Sequence, residues 1–336
     1  MLLLLGVNAT IINVINYKGD KNMNWVIKLI SSVLAFFIFS SSGEIAAYSP
    51  IDKDNLKLSF SVISDIHLEG NNTERFKLFG EGLCDIASAE VKNNALILCG
   101  DNTMNGQTVE TSMLYGLINK YNGIENVLMA VGNHDICPGE HNAGDYNTLK
   151  DRFIKYNNVF LNHKIDNLYH SAVIEGYHFI ILSSDKDAGL QQYISEEQFA
   201  WLDNELQLAS ASGNPVFLFS HWPLENVFAD AWPEGHVGEQ SNELYDLITK
   251  YDNRIFFFSG HLHMGVFENE YNINNENNNI TYINIPSFGS LNDVADADIQ
   301  DTGMGLQAEV YEKELVVRIR NFALHKWTDF EYHFNI

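Results

Sequence analysis

Polar side chains that can bind metals close five apolar runs of this sequence. The motifs are Ser64-Asp65-Ile66-His67, Gly100-Asp101-Asn102, Gly132-Asn133-His134-Asp135, Ser220-His221 and Gly260-His261-Leu262-His263. Their carboxylate, amide and imidazole groups suit iron, manganese or zinc, whereas calcium and magnesium prefer all-oxygen shells. Buried Asp and His side chains cost free energy unless they are paired or coordinated. Ordinary core packing therefore does not explain why five apolar runs all end in such residues. The pattern predicts metal binding.

Each motif alone has a simpler interpretation. A surface Asp and a satisfied His would explain Asp65 and His67, and turn chemistry would explain the Gly-Asp and Gly-Asn steps. A spacing of two nevertheless puts Asp65 and His67 on the same side of an extended chain, where both can reach one ion. The conclusion therefore rests on the five motifs together.

Short strands and crossover helices must position these motifs. Alternating or wholly apolar runs predict strands at residues 56–62, 95–99, 127–131, 216–219 and 255–258, with helices at 73–91 and 108–121 between the first three. This order is typical of crossover units with a parallel sheet. Ligands bind at the carboxyl edge of such sheets, so we expect the motifs to meet there.

The remaining sequence predicts a hairpin, one more helix and a mostly β ending. The hairpin strands are expected at residues 169–174 and 178–182, and the helix at 195–211 begins with a capping box of Ser195 and Gln198. Later strands are expected at 266–271, 280–285, 305–311, 315–319 and 327–334. Residues 272–279 are expected to form a polar hairpin tip or a disordered loop.

Taken in order, S-D-I-H, G-D-N, G-N-H-D, S-H-W-P and G-H-L-H resemble the motifs of the calcineurin-like metallophosphoesterases. The resemblance implies a four-layer α/β/β/α sandwich, in which two mixed β-sheets are flanked by helices. It also implies two metal ions, one held by Asp65, His67 and His263, the other by Asn133, His221 and His261, with Asp101 bridging them. His134 would lie beside the substrate phosphate without binding a metal.

What this resemblance implies about function is the hydrolysis of a phosphate ester. Two divalent ions can lower the pKa of a shared water, which then attacks phosphorus in line with the leaving oxygen. His134 would donate a proton to that oxygen or bind the phosphate, while Asp135 would orient the neighbourhood or cap a turn. We expect a phosphodiester substrate, with phosphomonoesters of nucleotides or sugars as the alternative. A non-catalytic, acidic cell-surface metal-binding module is the alternative from another class.

The sequence departs from two subfamilies of this superfamily. Purple acid phosphatases place a Tyr where this chain has Met104, and protein phosphatases extend the second motif to G-D-x-V-D-R-G. The chain therefore looks more like the single-domain group that includes class III cyclic-nucleotide phosphodiesterases. Substrate choice would rest on loops 136–150, 222–240 and 287–303, where Trp222, Phe228 and Trp232 either stack on a substrate or pack.

Net charge and cysteine content limit the partners of the chain. Its formal net charge is −24 at pH 7 over 336 residues. Such a surface repels nucleic-acid polymers and anionic lipid, so we expect a small phosphate ester drawn to a local positive metal site. Cys84, Cys99 and Cys137 match no metal-binding or disulfide framework, so free thiols are expected, with a Cys84–Cys99 bridge left open.

Residues 1–47 are set apart from a single expected domain at residues 48–336. An apolar run at 29–39 follows Lys28 and precedes small residues, which is typical of a secretion signal, whereas residues 1–22 fit neither a signal nor a domain. We expect translation to start at Met23 and the mature, secreted chain to begin between residues 41 and 48, without a membrane span. An uncleaved N-terminal anchor is the alternative.

Overall fold

Two six-stranded sheets and six α-helices form the part of the chain that the structure describes. The computed structural model describes Lys28, Leu29, Ser31 and residues 46–121, 123–136, 144–225, 227–228, 237–267, 272–277, 279–291 and 297–336. The strands are β1 (Leu58–Ile63), β2 (Ala95–Cys99), β3 (Asn126–Ala130), β4 (His170–Ile174), β5 (Tyr177–Ile181), β6 (Val216–Phe219), β7 (Ile255–Ser259), β8 (Ile273–Asn277), β9 (Ile280–Asn284), β10 (Met304–Val310), β11 (Glu314–Asn321) and β12 (Lys326–Asn335). The helices are α1 (Thr73–Ala87), α2 (Thr108–Tyr121), α3 (Asn133–Ile136), α4 (Tyr146–Phe160), α5 (Glu196–Ser210) and α6 (Ser241–Ile248).

Both sheets mix parallel and antiparallel strands. The first has the order β12-β11-β10-β1-β2-β3, in which β1, β2 and β3 are parallel and the other three antiparallel. The second has the order β4-β5-β6-β7-β9-β8, with four parallel strands between antiparallel edges. The predicted arrangement of two mixed sheets flanked by helices is therefore confirmed.

Aromatic side chains fill the space between the two sheets. The Phe60 ring from β1 lies 5.1 Å from that of Phe179 and 4.8 Å from that of Phe217, both on the opposite sheet. Each fully buried Phe contributes about 1.5–3 kcal/mol relative to an exposed one. Because β6 and β7 lie at the centre of their sheet with both faces covered, their sequences are continuously apolar rather than alternating.

Most predicted elements lie within a few residues of the observed ones, but one expectation is wrong. Residues 272–279, expected to be a hairpin tip or a disordered loop, contain strand β8, which pairs antiparallel with β9. A strand at a sheet edge is held by backbone hydrogen bonds on one side, so polar side chains are tolerated there. The predicted strand at 266–271 is reduced to a single bridge between Val266 and Ile299, and residues 268–271 lie outside the described part of the chain.

The cysteines and the length of the helices bear on two further features. Cys84 and Cys99 are free thiols, so the bridge left open between them is absent; Cys137 lies outside the described residues. Within the described ranges, no helix is long and apolar enough to cross a bilayer.

Candidate metal centre

The polar motifs meet where parallel strands of both sheets end. Asp65 and His67 follow β1, Asp101 follows β2 and Asn133 follows β3, all in the first sheet. His221 follows β6, while His261 and His263 follow β7, in the second sheet. Bridges between Ser64 and Ser287, and between Leu68 and Thr103, hold the loops beyond the strands together. The site thus lies at the carboxyl edge that sequence analysis indicated.

Two groups of potential ligands share one carboxylate. The first comprises Asp65, His67, Asp101 and His263, and the second comprises Asp101, His221 and His261. Within each group, the candidate ligand atoms all lie within 4.8 Å of one another. Asp101 Oδ2 lies 3.6 Å from His67 Nε2 and 3.3 Å from His221 Nε2, so this oxygen stands between the two groups.

The donor atoms fit a pair of transition-metal ions. His67 Nε2 lies 2.8 Å from His263 Nε2, and His261 Nδ1 lies 3.1 Å from His221 Nε2. Ring nitrogens that converge in this way are suited to a common cation. Among the described residues, the buried Asn133 Oδ1 has no hydrogen-bond partner, which leaves an amide oxygen for the same purpose. Imidazole, carboxylate and amide donors together match iron, manganese or zinc.

The backbone at five of the candidate ligands adopts the left-handed conformation. The φ angles are 57° at Asp65, 50° at His67, 47° at Asp101, 70° at His261 and 48° at His263. For residues other than Gly, each such conformation costs roughly 1–3 kcal/mol and persists only when the surroundings enforce it. Hydrogen bonds from Asp65 N to Gly100 O and from His67 N to Asp101 O hold two of them. The strain is concentrated where the side chains converge.

Burial and the neighbouring charges set the protonation of the site. Burial lowers the pKa of His67 and of His261 to about 3, so both rings are neutral and able to bind a cation. Burial also acts to lower the pKa of His221, but the Asp101 carboxylate outweighs it and raises that pKa to about 9. Against burial, His263 lowers the pKa of Asp65 to about 2. Both carboxylates are ionised, and a cation bound there would displace the proton on His221.

His134 lies beside the first group without joining either. Its ring centre is 4.7 Å from that of His67, and its backbone N–H donates to Asp101 Oδ1 at 2.9 Å. Its Nδ1 lies 2.8 Å from the carbonyl oxygen of Met104, which can only accept, so Nδ1 carries a proton. This bond fixes the ring, and in the neutral tautomer Nε2 is then the nitrogen without a hydrogen.

Asp135 joins the loop after β2 to the loop after β3. Its carboxylate accepts hydrogen bonds from Asn102 N and Nδ2, from Thr103 N and Oγ1, and from Gly132 N. Burial and the nearby Asp101 charge raise its pKa. With both oxygens occupied, Asp135 orients the motifs that carry Asp101 and Asn133. The bond from Gly132 N also caps the turn before Asp135, so these contacts include both roles considered from the sequence.

The aromatic residues considered for substrate binding are packed where they are described. Trp222 is fully buried, with its ring 5.1 Å from that of His221 and its Nε1 donating to Leu190 O at 2.9 Å. Phe228 is 9% exposed. Neither ring offers a face on which a substrate could stack, which agrees with the packing interpretation. Trp232 lies outside the described residues.

Some contacts to the candidate ligands were not anticipated from the sequence. Arg75 Nη1 donates to His67 O at 2.8 Å, and nothing in the spacing of Arg75 indicates this. The carbonyl oxygen of Cys99 lies 3.0 Å from His221 Nδ1 and also accepts from Ser64 Oγ at 2.9 Å. A backbone carbonyl that orients an imidazole in this way is common behind metal ligands.

Comparison with known proteins gives two relatives of known or probable activity. A probable glycerophosphodiester phosphodiesterase, GpdQ, of Arcobacter nitrofigilis is 26% identical over 209 residues, which cover 60% of this chain and 70% of that protein. A 3′,5′-cyclic-nucleotide phosphodiesterase of a Nostoc species is 27% identical over 111 residues, which cover 33% of this chain and only 38% of that protein. Both resemblances are distant.

Fold and family comparisons agree with this relationship. The crystal structure of a dimetal phosphatase from Danio rerio has a TM-score of 0.57 at 13% identity and covers 83% of this chain and 99% of that one, which establishes the shared fold. The family model for calcineurin-like phosphoesterases matches residues 58–265, more than half of the chain and the whole span from Asp65 to His263. The chain therefore belongs to the calcineurin-like phosphoesterase family and is a hydrolase of phosphate esters.

Proposed function

We propose that this protein is a two-metal phosphodiesterase. Asp65, His67 and His263 would hold one ion, and Asn133, His221 and His261 the other, while Asp101 would contact both. The observation that carries this proposal is the position of Asp101 Oδ2, which lies between the two groups of ligand atoms. When bound, two such ions supply charge stabilisation to the phosphoryl oxygens and activate the attacking water.

The residues of the chain prepare the site for one anionic substrate. Two carboxylates balance only half of the charge of two divalent ions, so the loaded centre remains positive within an acidic protein. All the candidate ligands except the partly buried His263 are buried, and burial strengthens the charge interactions inside the site. His134, only partly buried and held through Nδ1, is free to exchange a proton with the leaving oxygen through Nε2.

Preference for a diester is supported by the two curated relatives. One is described as a probable glycerophosphodiester phosphodiesterase and the other as a cyclic-nucleotide phosphodiesterase. The monoester remains the second candidate substrate.

A direct test measures metal content and substrate preference together. After dialysis against a chelator and reloading with Mn²⁺, we expect elemental analysis to find two ions per chain. For the loaded protein, we expect kcat/KM to be about tenfold higher with bis-p-nitrophenyl phosphate than with p-nitrophenyl phosphate. This ratio corresponds to a difference of about 1.4 kcal/mol in transition-state stabilisation. Hydrolysis that persists unchanged in metal-free protein would refute the two-metal proposal, and a reversed ratio would favour the monoester.

His134→Ala is expected to keep both ions while losing rate in a manner that depends on the leaving group. General acid catalysis is worth about 10² to 10⁴ in rate, and least for a leaving group that needs no proton. We expect a loss of roughly a hundredfold for a diester that releases an alkoxide, such as a ribose hydroxyl, and a smaller loss for one that releases p-nitrophenolate.

The controls for this variant are metal content and melting temperature. His333→Ala serves as the matched change, since His333 is exposed on β12 and its ring nitrogens lie 3.0 Å from Glu314 Oε2 and 2.8 Å from Glu331 Oε1. An equal loss with both leaving groups would assign His134 to phosphate binding instead. Loss of metal together with a lower melting temperature would make its role structural.

A further inference from the structure

Helix α2 is buried around its whole circumference near its middle. Nine consecutive residues, from Glu110 to Ile118, are buried. A helix that packs through one face exposes side chains once in every turn. The flanking helices α1 and α4 both pack against α2, and Ser112 Oγ lies 2.9 Å from Tyr156 OH of α4. Another part of the chain must therefore cover the outer side of α2.

Ser31 provides this cover at Gly116. Lys28, Leu29 and Ser31 are helical, and Ser31 is fully buried while Leu29 is 53% exposed. A Cβ atom at position 116 would lie 2.6 Å from the carbonyl oxygen of Ser31 and 3.2 Å from its Cβ atom. Glycine destabilises the interior of a helix relative to alanine. The close approach of Ser31 gives a reason for glycine at this position.

A charge contact lies at the edge of the same surface. Lys28 Nζ lies 5.8 Å from the centre of the Phe160 ring, at the end of α4. That ring stacks on Tyr115 at 5.7 Å and on Tyr156 at 6.0 Å. A cation over an aromatic face is a favourable contact. The Lys28 end of the segment and its Ser31 end therefore contact neighbouring parts of one surface.

We propose that Gly116 of α2 and Phe160 of α4 line a groove that binds the segment carrying Lys28, Leu29 and Ser31 of the same chain. This Gly116 groove holds Ser31 against α2 in a chain that retains residues 1–47. Removal of those residues, expected from the sequence, would uncover Gly116 and the Phe160 ring.

Thiol labelling of the full 336-residue chain tests the docking with Gly116 intact. We introduce Leu29→Cys or Ser31→Cys separately and follow alkylation at each position by peptide mass spectrometry, so the native cysteines need not be removed. If the segment is docked, Cys at position 31 is expected to react at least tenfold more slowly than Cys at position 29. Equal rates at the two positions would overturn the proposal.

A disulfide between the two surfaces tests the contact directly. The Cβ separation of 3.2 Å between positions 31 and 116 is close to the roughly 3.5–4.5 Å that disulfides span. We expect Ser31→Cys combined with Gly116→Cys to form an intramolecular disulfide under mild oxidation, while Ser31→Cys combined with Ser210→Cys on α5 does not. A disulfide-linked dimer would assign the groove to a second copy and overturn the proposal, as would the absence of a link together with equal labelling rates at positions 29 and 31.

Discussion

Asp101→Asn is expected to lower kcat/KM for a phosphodiester by roughly 10³-fold or more, which corresponds to about 4 kcal/mol of transition-state stabilisation. The substitution keeps the shape of the side chain and the Oδ1 that accepts from the His134 N–H. It removes the charge from an oxygen that lies 3.3 Å from His221 Nε2 and 3.6 Å from His67 Nε2. One substitution therefore weakens both proposed ion sites.

The measurement combines steady-state kinetics with elemental analysis of the purified variant. We expect Asp101→Asn to hold fewer than two ions per chain. Asp203→Asn is the matched control, because Asp203 is partly exposed on α5, pairs with Lys250 and belongs to neither ligand group. Full activity together with full metal content in Asp101→Asn would remove the bridging role.

Gly132→Ala is expected to reduce activity by a comparable factor, at least about 10³-fold, although it changes no candidate ligand. A Cβ atom at this position would lie 2.2 Å from Asp101 Oδ1 and 2.6 Å from both Asp101 N and His221 Cδ2. Atoms cannot approach so closely, and two of the neighbours belong to the shared carboxylate and its own backbone. The alanine must therefore displace Asp101, His221 or both.

Metal content and circular dichroism distinguish local displacement of a ligand from a general loss of stability. Gly123→Ala is the control, since the nearest atoms to its added Cβ lie 3.9 Å away. We expect Gly132→Ala to lose metal before it loses fold, so far-ultraviolet circular dichroism should resemble that of the parent. An active Gly132→Ala with two ions per chain would contradict the packing described for this loop.

The positions of the motifs could be predicted from the sequence because the apolar strands and the helices between them are both recognisable. Apolar runs that end in Gly-Asp or Gly-Asn mark strand ends, and crossover helices imply that those ends share an edge. The structure brings Asp65, His67, Asp101, His221, His261 and His263 into two groups with a common member. The left-handed backbone at five of these residues has no counterpart in the sequence, since Asp and His carry no local preference strong enough to reveal it.

The elements that sequence analysis missed fall into two kinds. Helix α4 carried a usable signal, since Leu149, Phe153 and Tyr156 are spaced by four and three and Asp145 caps the first turn through Thr148 N. The predicted loop at 136–150 instead includes its first residues. Strand β8, by contrast, carries mostly Asn and Glu, and only its pairing with β9 makes it a strand. No local pattern would have found it.

The candidate ligands are divided between the two sheets, so they become available at different stages of translation. Four candidate ligands lie before residue 134 and three after residue 220, and neither half holds a complete group. Strand β1, which leads to Asp65, also pairs with β10, so its second neighbour leaves the ribosome only when Met304–Val310 has been translated. A growing chain therefore lacks a complete group of candidate ligands until His263 has been translated. The proposed metal centre would accordingly assemble late, when both sheets can form.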